Sequence, residues 1–222
     1  MQDVHPGEPD TLRDPRGSRR ERPNRRGRGL RIAGIALIGV ALALGGYMWW
    51  QLWGTGLTTR AEQNELRPTF EDTVATRDVD EAPSADQVVK VPGNAVAILE
   101  IPKIDVDMVV VEGTDTESLK KGPGHYSRTA YPWEDSGRVG IAGHRTTYGA
   151  PFWSLNELRE GDEIVLASEY GIFEYRVTGS RIIDPSDGSV LDPTRDPTLV
   201  LTTCNPRFSA AERLVVFADR VD

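Results

Sequence analysis

The stretch Thr198-Leu199-Val200-Leu201-Thr202-Thr203-Cys204 alternates, with Leu199, Leu201 and Thr203 on one face and Val200, Thr202 and Cys204 on the other. It reads as a β-strand, and Asn205-Pro206 ends it. The chain's single cysteine therefore stands at a strand terminus, where a side chain can face a groove. The chain re-enters a strand at Arg213, in RLVVFAD. If the two strands pair antiparallel, Cys204 and Arg213 meet at the open end of a hairpin.

Upstream of this hairpin, short β-branched runs are separated by Gly, Pro and Asp. Strands are expected at 95–100, 108–111, 138–142, 163–167, 172–183, 198–203 and 214–218, with helical turns at 118–121 and 151–158. In the longest run, Phe173, Tyr175 and Val177 point one way and Glu174, Arg176 and Thr178 the other. Such short strands with little helix predict a mainly β protein, a closed or nearly closed barrel of seven or eight strands. This domain occupies residues 94–222.

The other end of the chain differs in kind. Residues 32–53, IAGIALIGVALALGGYMWWQLW, carry no charge over 22 positions, about 33 Å of helix. Seven arginines and one glutamate lie between Arg19 and Arg31, so the positive-inside rule puts residues 1–31 in the cytoplasm. Tyr47, Trp49, Trp50 and Trp53 suit the outer interface. A cleaved signal peptide, cut after Ala41-Leu42-Ala43, is the competing reading. The apolar run continues past that triplet, which favours an uncleaved transmembrane anchor. Residues 54–93 then read as an acidic extracytoplasmic linker with a short helix near 60–66 that stops at Pro68.

Composition narrows the function. The net charge of −8 divides unevenly: nine Arg against five acids give +4 over the first 31 residues and leave −12 on the rest. An acidic globular part argues against nucleic acid as a partner. One cysteine and three histidines rule out a disulfide framework and make a multi-His metal centre hard to build. The lone thiol is the first candidate for chemistry. The Arg213 guanidinium favours a thiolate at Cys204 and can hold the oxygen of an attacked carbonyl. The proton partner is an imidazole: His144, in IAGHRTTYGAPFW directly after a strand, or alternatively His125, in the loop GPGHY.

Taken together, these segments resemble the sortases, membrane-anchored cysteine transpeptidases of Gram-positive bacteria. The strand end TLVLTTC matches the family's TLxTC, and AGHR around His144 and RLVV from Arg213 match the rest of a His, Cys, Arg triad. The spacings agree, 60 residues from His144 to Cys204 and nine more to Arg213. KGPGHY at 121–126, HRTTYGAPF at 144–152 and CNPRFSAAERLVV at 204–216 are similar to the class E group of actinobacteria. Asn205 departs from that group, in which the position is often His.

The resemblance implies a sortase-type β-barrel behind a single-pass type II anchor in the cell membrane. It implies that Cys204 attacks the Thr–Gly bond of a C-terminal sorting signal in a secreted protein, giving a thioester. His144 would move the protons, Arg213 would stabilise the oxyanion, and a peptidoglycan-precursor amine would accept the acyl group. No metal or organic cofactor is implied, and no compact acidic cluster suggests the calcium site of some sortases. Class E enzymes are associated with LAxTG where others take LPxTG, and Ala offers an N–H that Pro lacks. Tyr126 is the expected acceptor for that N–H, and Thr202 and Thr203 are expected to contact the substrate. The alternatives are a pilus-assembling sortase and a tethered sortase-like binding module without turnover.

Overall fold

The computed structural model describes residues 25–76, 82–83, 87–88, 90–91 and 93–221. Residues 1–24 of the expected cytoplasmic tail and most of the acidic stretch 77–92 lie outside the described residues. Helix α1 (Arg25–Trp49) is long and apolar enough to cross a membrane, and its apolar side chains, Leu37, Ile38 and Leu42 among them, are exposed. Of the expected interfacial aromatics, Tyr47, Trp49 and Trp50 are exposed, and the Trp53 side chain lies outside the described residues.

A π-helical turn (Trp50–Gly54) leads into helix α2 (Thr55–Thr76). In place of the short helix expected near 60–66, α2 runs 22 residues and continues through Pro68. Its buried face explains the difference, because the contacts that hold it are largely polar and show no apolar period. The Thr59 hydroxyl donates to the Lys120 carbonyl at 2.7 Å. The Gln63 amide donates to the carbonyls of Val109 (3.0 Å) and Lys121 (2.9 Å) and accepts from Val109 N–H (2.7 Å). One turn on, Leu66 and Phe70 pack on Ile98 and Val109.

The strands are β1 (Ala95–Ile101), β2 (Val106–Glu112), β3 (Gly124–His125), β4 (Arg138–Ala142), β5 (Glu163–Ser168), β6 (Gly171–Ile183), β7 (Thr198–Asn205) and β8 (Glu212–Val221). They close a barrel in the order β1-β2-β3-β4-β7-β8-β6-β5. The barrel expected from sequence is thus present. Two-residue β3 was expected as loop, since a strand that short carries no alternation. Helix α3 (Thr116–Lys121) starts two residues before the expected turn, with Asp115 as N-cap accepting from Glu117 N–H and Ser118 N–H at 3.0 and 3.1 Å. The expected helix at 151–158 contains only a 3-10 turn, Leu155–Glu157.

Alternation fills the interior as expected: Leu199 and Leu201 of β7 join Val139 and Ile141 of β4 and Leu214 and Val216 of β8 in the main core. The opposite faces of β7 and β8 carry Val200 and Val215, covered by Val190 from the 3-10 turn Gly188–Leu191. The interior is therefore packed with side chains, and polar chemistry is left to the outer face and the barrel rim.

Gln63 also protects the sheet. Val109 turns its N–H and C=O away from β1, and the Gln63 amide meets both where a neighbouring strand would. Gln63→Ala strips three hydrogen bonds from β2 and the α3 terminus. The expected cost is about 1–3 kcal/mol, read as a lower thermal unfolding midpoint of the full chain in detergent.

Candidate active site

β4 and β7 run parallel, with Ala142 opposite Thr202, and β7 and β8 run antiparallel, with Cys204 opposite Arg213. His144 lies two residues beyond Ala142 and Cys204 two residues beyond Thr202. The period of two that turns Val139, Ile141, Leu199, Leu201, Leu214 and Val216 inward turns Cys204 and Arg213 outward, with Thr202 and Ala142 on the same face. Imidazole, thiol and guanidinium thus come from three adjacent strand ends at one rim of the barrel.

The turn that carries His144 is fixed from both sides. Gly143 N–H donates to the Thr202 carbonyl at 3.0 Å, and the Thr203 hydroxyl donates to the Gly143 carbonyl at 2.7 Å. A Cβ on Gly143 would lie 2.5 Å from the Phe152 ring, which is fully buried, so only glycine fits. Phe152 N–H returns to the His144 carbonyl at 3.1 Å. Between them the chain makes a tight excursion in which Tyr148, Gly149 and Ala150 all have positive φ (51°, 74° and 46°). For the two non-glycine residues this costs roughly 1–2 kcal/mol each. Helix α2 supports the excursion: Thr55 Oγ1 accepts from Tyr148 N–H at 3.0 Å. The Tyr148 ring lies 4.9 Å from the His144 ring, tilted by 37°.

His144 Nε2 is buried with no hydrogen-bond partner among the described residues, and burial pulls the imidazole pKa below its ordinary value. The resting ring is neutral near pH 7. Cys204 is a free, half-buried thiol. Arg213 donates from Nη1 to the carbonyls of Ala210 and Glu212, both at 3.0 Å.

The remaining candidates separate. The Tyr126 hydroxyl is 2.9 Å from Thr202 Oγ1, over the β4–β7 floor and on the Cys204 side. Its ring comes so close to Gly140 that a Cβ there would lie 3.0 Å from it. Thr203, expected as a substrate contact, faces the other way: it is buried, and its hydroxyl is committed to Gly143. His125, the alternative base, is also withdrawn. It is 1 % exposed, with Nδ1 3.0 Å from Glu112 Oε2 and Nε2 3.0 Å from the Ala130 carbonyl. Residues that sequence reasoning missed are Arg145, which reaches the Asn205 side chain and the end of β7, and Asn156, which accepts from Arg145. The one available signal was the cation directly after His144 in AGHR, and alternation says nothing once the strand has ended. A cleft of about 690 Å³ opens beside the His144 turn, bounded by Leu57 and Arg60 of α2, Met108, Ala150, Trp153 and Phe208.

A thiol, an imidazole and a guanidinium delivered to three neighbouring strand ends are the groups that acyl transfer through a thioester uses. The model of the sortase domain matches residues 99–221. The chain belongs to the sortase family. It is similar to sortase D of Bacillus subtilis (strain 168), 32% identical over 200 residues that span 86% of this chain and 98% of the relative. It is also similar to sortase SrtE1 of Streptomyces coelicolor, 32% identical over 191 residues, 79% of this chain and 53% of that one. The crystal structure of sortase E1 from Streptomyces coelicolor with a tripeptide in the active site superposes with a TM-score of 0.56 at 36% identity, over 60% of this chain and 92% of that chain. This sortase is a cysteine transpeptidase.

Because His144 has a depressed pKa in the folded protein, the unfolded chain takes up its proton at higher pH. Stability contributed by the neutral ring is expected to fall as pH drops from about 6.5 toward the folded value. Two measurements check this: an NMR titration of the His144 ring with a midpoint below about 6.5, and a flatter stability profile between pH 7 and 5 in His144→Gln.

Proposed function

We propose that this sortase is of the class E kind, cleaves a C-terminal LAxTG-like signal between Thr and Gly, and joins the new carboxyl end to an amine of a peptidoglycan precursor. The observation that carries the reading is the delivery of His144, Cys204 and Arg213 to three neighbouring strand ends. The Cys204 thiolate attacks the Thr carbonyl carbon, and Arg213 meets the resulting oxyanion. As the C–N bond breaks, the His144 imidazolium gives its proton to the leaving Gly amine, and a thioester remains. The incoming amine loses a proton to neutral His144, attacks the thioester and expels the thiolate. Burial lowers the His144 pKa, so the imidazolium that protonates the leaving amine is the less favoured form of the resting ring near pH 7.

Tyr126 sets the signal preference. If its hydroxyl donates to Thr202 Oγ1, a lone pair is left for the N–H of Ala in LAxTG. LPxTG has no such N–H to satisfy. The exposed apolar face of α1 and the arginines before it support a type II anchor with the barrel outside the membrane. Similarity at equal identity to a class D relative favours a second reading, class D specificity, which the signal preference separates from the first.

The test uses the full chain in detergent with quenched LAxTG and LPxTG peptides and an added amine. Cleavage abolished in Cys204→Ala and accelerated by the amine supports the transpeptidase reading, and LAxTG preference supports class E. Tyr126→Phe is expected to lower LAxTG turnover about 10- to 100-fold, the loss of a buried N–H partner, and to leave LPxTG turnover nearly unchanged. Equal losses on both peptides would remove Tyr126 from the selection.

A further inference from the structure

Behind the end of β7 lies a buried cation whose hydrogen bonds, among the described residues, all go to neutral groups. Arg145 is 6 % exposed. Its Nη1 donates to the Cys204 carbonyl at 3.1 Å and to Asn205 Oδ1 at 2.6 Å, and its Nη2 donates to Asn156 Oδ1 at 2.9 Å. Nε is buried with no partner among the described residues. An acid, Glu212, is held at one remove, accepting from Asn205 Nδ2 at 2.8 Å. The Asn205 amide thus stands between cation and anion and is oriented by both.

A buried guanidinium usually sits against a carboxylate, because lost hydration must be offset by an opposite charge. Holding two strand ends together needs only hydrogen bonds, which a neutral amide supplies. A permanent charge in this place therefore calls for an anion, and the adjacent group able to become one is the thiol of Cys204. Burial works most against the Arg145 charge and Arg207 opposes it as well, while Cys204 favours it.

We propose that Arg145 is a positioning residue that clamps the Cys204 end of β7 to the His144 turn and supplies the fixed positive charge that favours the Cys204 thiolate. The proposal rests on Cys204 being the nucleophile and divides the work between two arginines. Arg213, held by carbonyls of its own hairpin, is placed to meet substrate, while Arg145 is immobilised behind the strand end. The charged and titratable groups gathered here are His144 and Arg145 after β4, Arg213 and Glu212 on β8, and Arg207 between β7 and β8, stacked 4.4 Å over the Trp153 ring.

The chain contains one cysteine, so alkylation by iodoacetamide reports Cys204 alone. The readout needs no peptide turnover, so failure of the sortase reading and failure of this proposal are separately visible. Alkylation rate against pH is measured on the full chain in detergent, in the wild-type and His144→Ala backgrounds. Arg145→Gln is expected to raise the thiol midpoint by about one pH unit and to slow alkylation about tenfold below it, in both backgrounds. Arg145→Lys keeps the charge and is expected to hold the midpoint within about 0.3 units. Its kcat falls about tenfold with KM nearly unchanged, because one ammonium cannot span three acceptors in the plane of a guanidinium. Asn156→Asp, isosteric and on the far side of Arg145 from Asn205, is expected to raise the midpoint by neutralising the cation, and it serves if Arg145→Gln does not fold. An unchanged midpoint in folded Arg145→Gln, or in Asn156→Asp where the Gln variant is unfolded, overturns the proposal.

Discussion

The site depends on the parallel pairing of β4 with β7. Parallel neighbours end at the same side of a sheet, so a residue two beyond Ala142 and a residue two beyond Thr202 are delivered together. Such a pairing needs a long crossover, and here β5 and β6 lie within it and close the far wall of the barrel. β8 then returns antiparallel and completes the set with Arg213 opposite Cys204. A one-residue slip of β7 against either neighbour would turn Cys204 inward toward Leu214 and Val216 and turn Leu199 and Leu201 out of the core. The packed interior holds that register, since the same alternation buries leucine and valine on one face and presents the thiol on the other.

Much of this was legible in the chain. The alternation in TLVLTTC predicts which side of β7 carries Cys204, and Asn205-Pro206 predicts where the strand stops turning side chains to fixed faces. The hairpin pairing of Cys204 with Arg213 follows from two strands joined by a short loop. The illegible parts are those in which tertiary contacts outrank local pattern. The inward face of Thr203 was legible in that same alternation, but its partner, the Gly143 carbonyl, was not. His125 reads as an exposed loop imidazole because its partners, Glu112 and the Ala130 carbonyl, arrive through a two-residue strand that leaves no periodic signal.

Helix α2 illustrates the same limit from the other direction. A helix is normally read from an apolar stripe, and α2 docks through Thr55, Thr59 and Gln63 before Leu66 and Phe70 take over. These polar residues meet backbone groups that the barrel leaves unpaired, so the segment looks like a solvated linker until its partners are known. The consequence reaches the active site: the Thr55 hydroxyl holds Tyr148, in a left-handed conformation beside His144. A strained turn persists where neighbours determine it from several sides. The helix that follows the apolar helix α1 is one of those neighbours.

Electrostatics at the rim follows from what is buried and what is not. His144 loses water and is neutral at rest, which suits it to take a proton but leaves the thiol without a cationic imidazole for most of the time. A fixed positive charge is then the remaining way to favour thiolate, and arginine alone keeps its charge when desolvated to this extent. Two arginines approach Cys204, one through the facing strand and one through the carbonyl of Cys204 itself. The outer one is free of the core and can respond to a bound carbonyl oxygen. The inner one is locked by Asn156 and Asn205, so its field at the strand end is the same before and after substrate arrives. On the proposed roles of Cys204 and Arg213, separating a constant charge from a responsive one tunes the thiol without tying up the group assigned to the oxyanion.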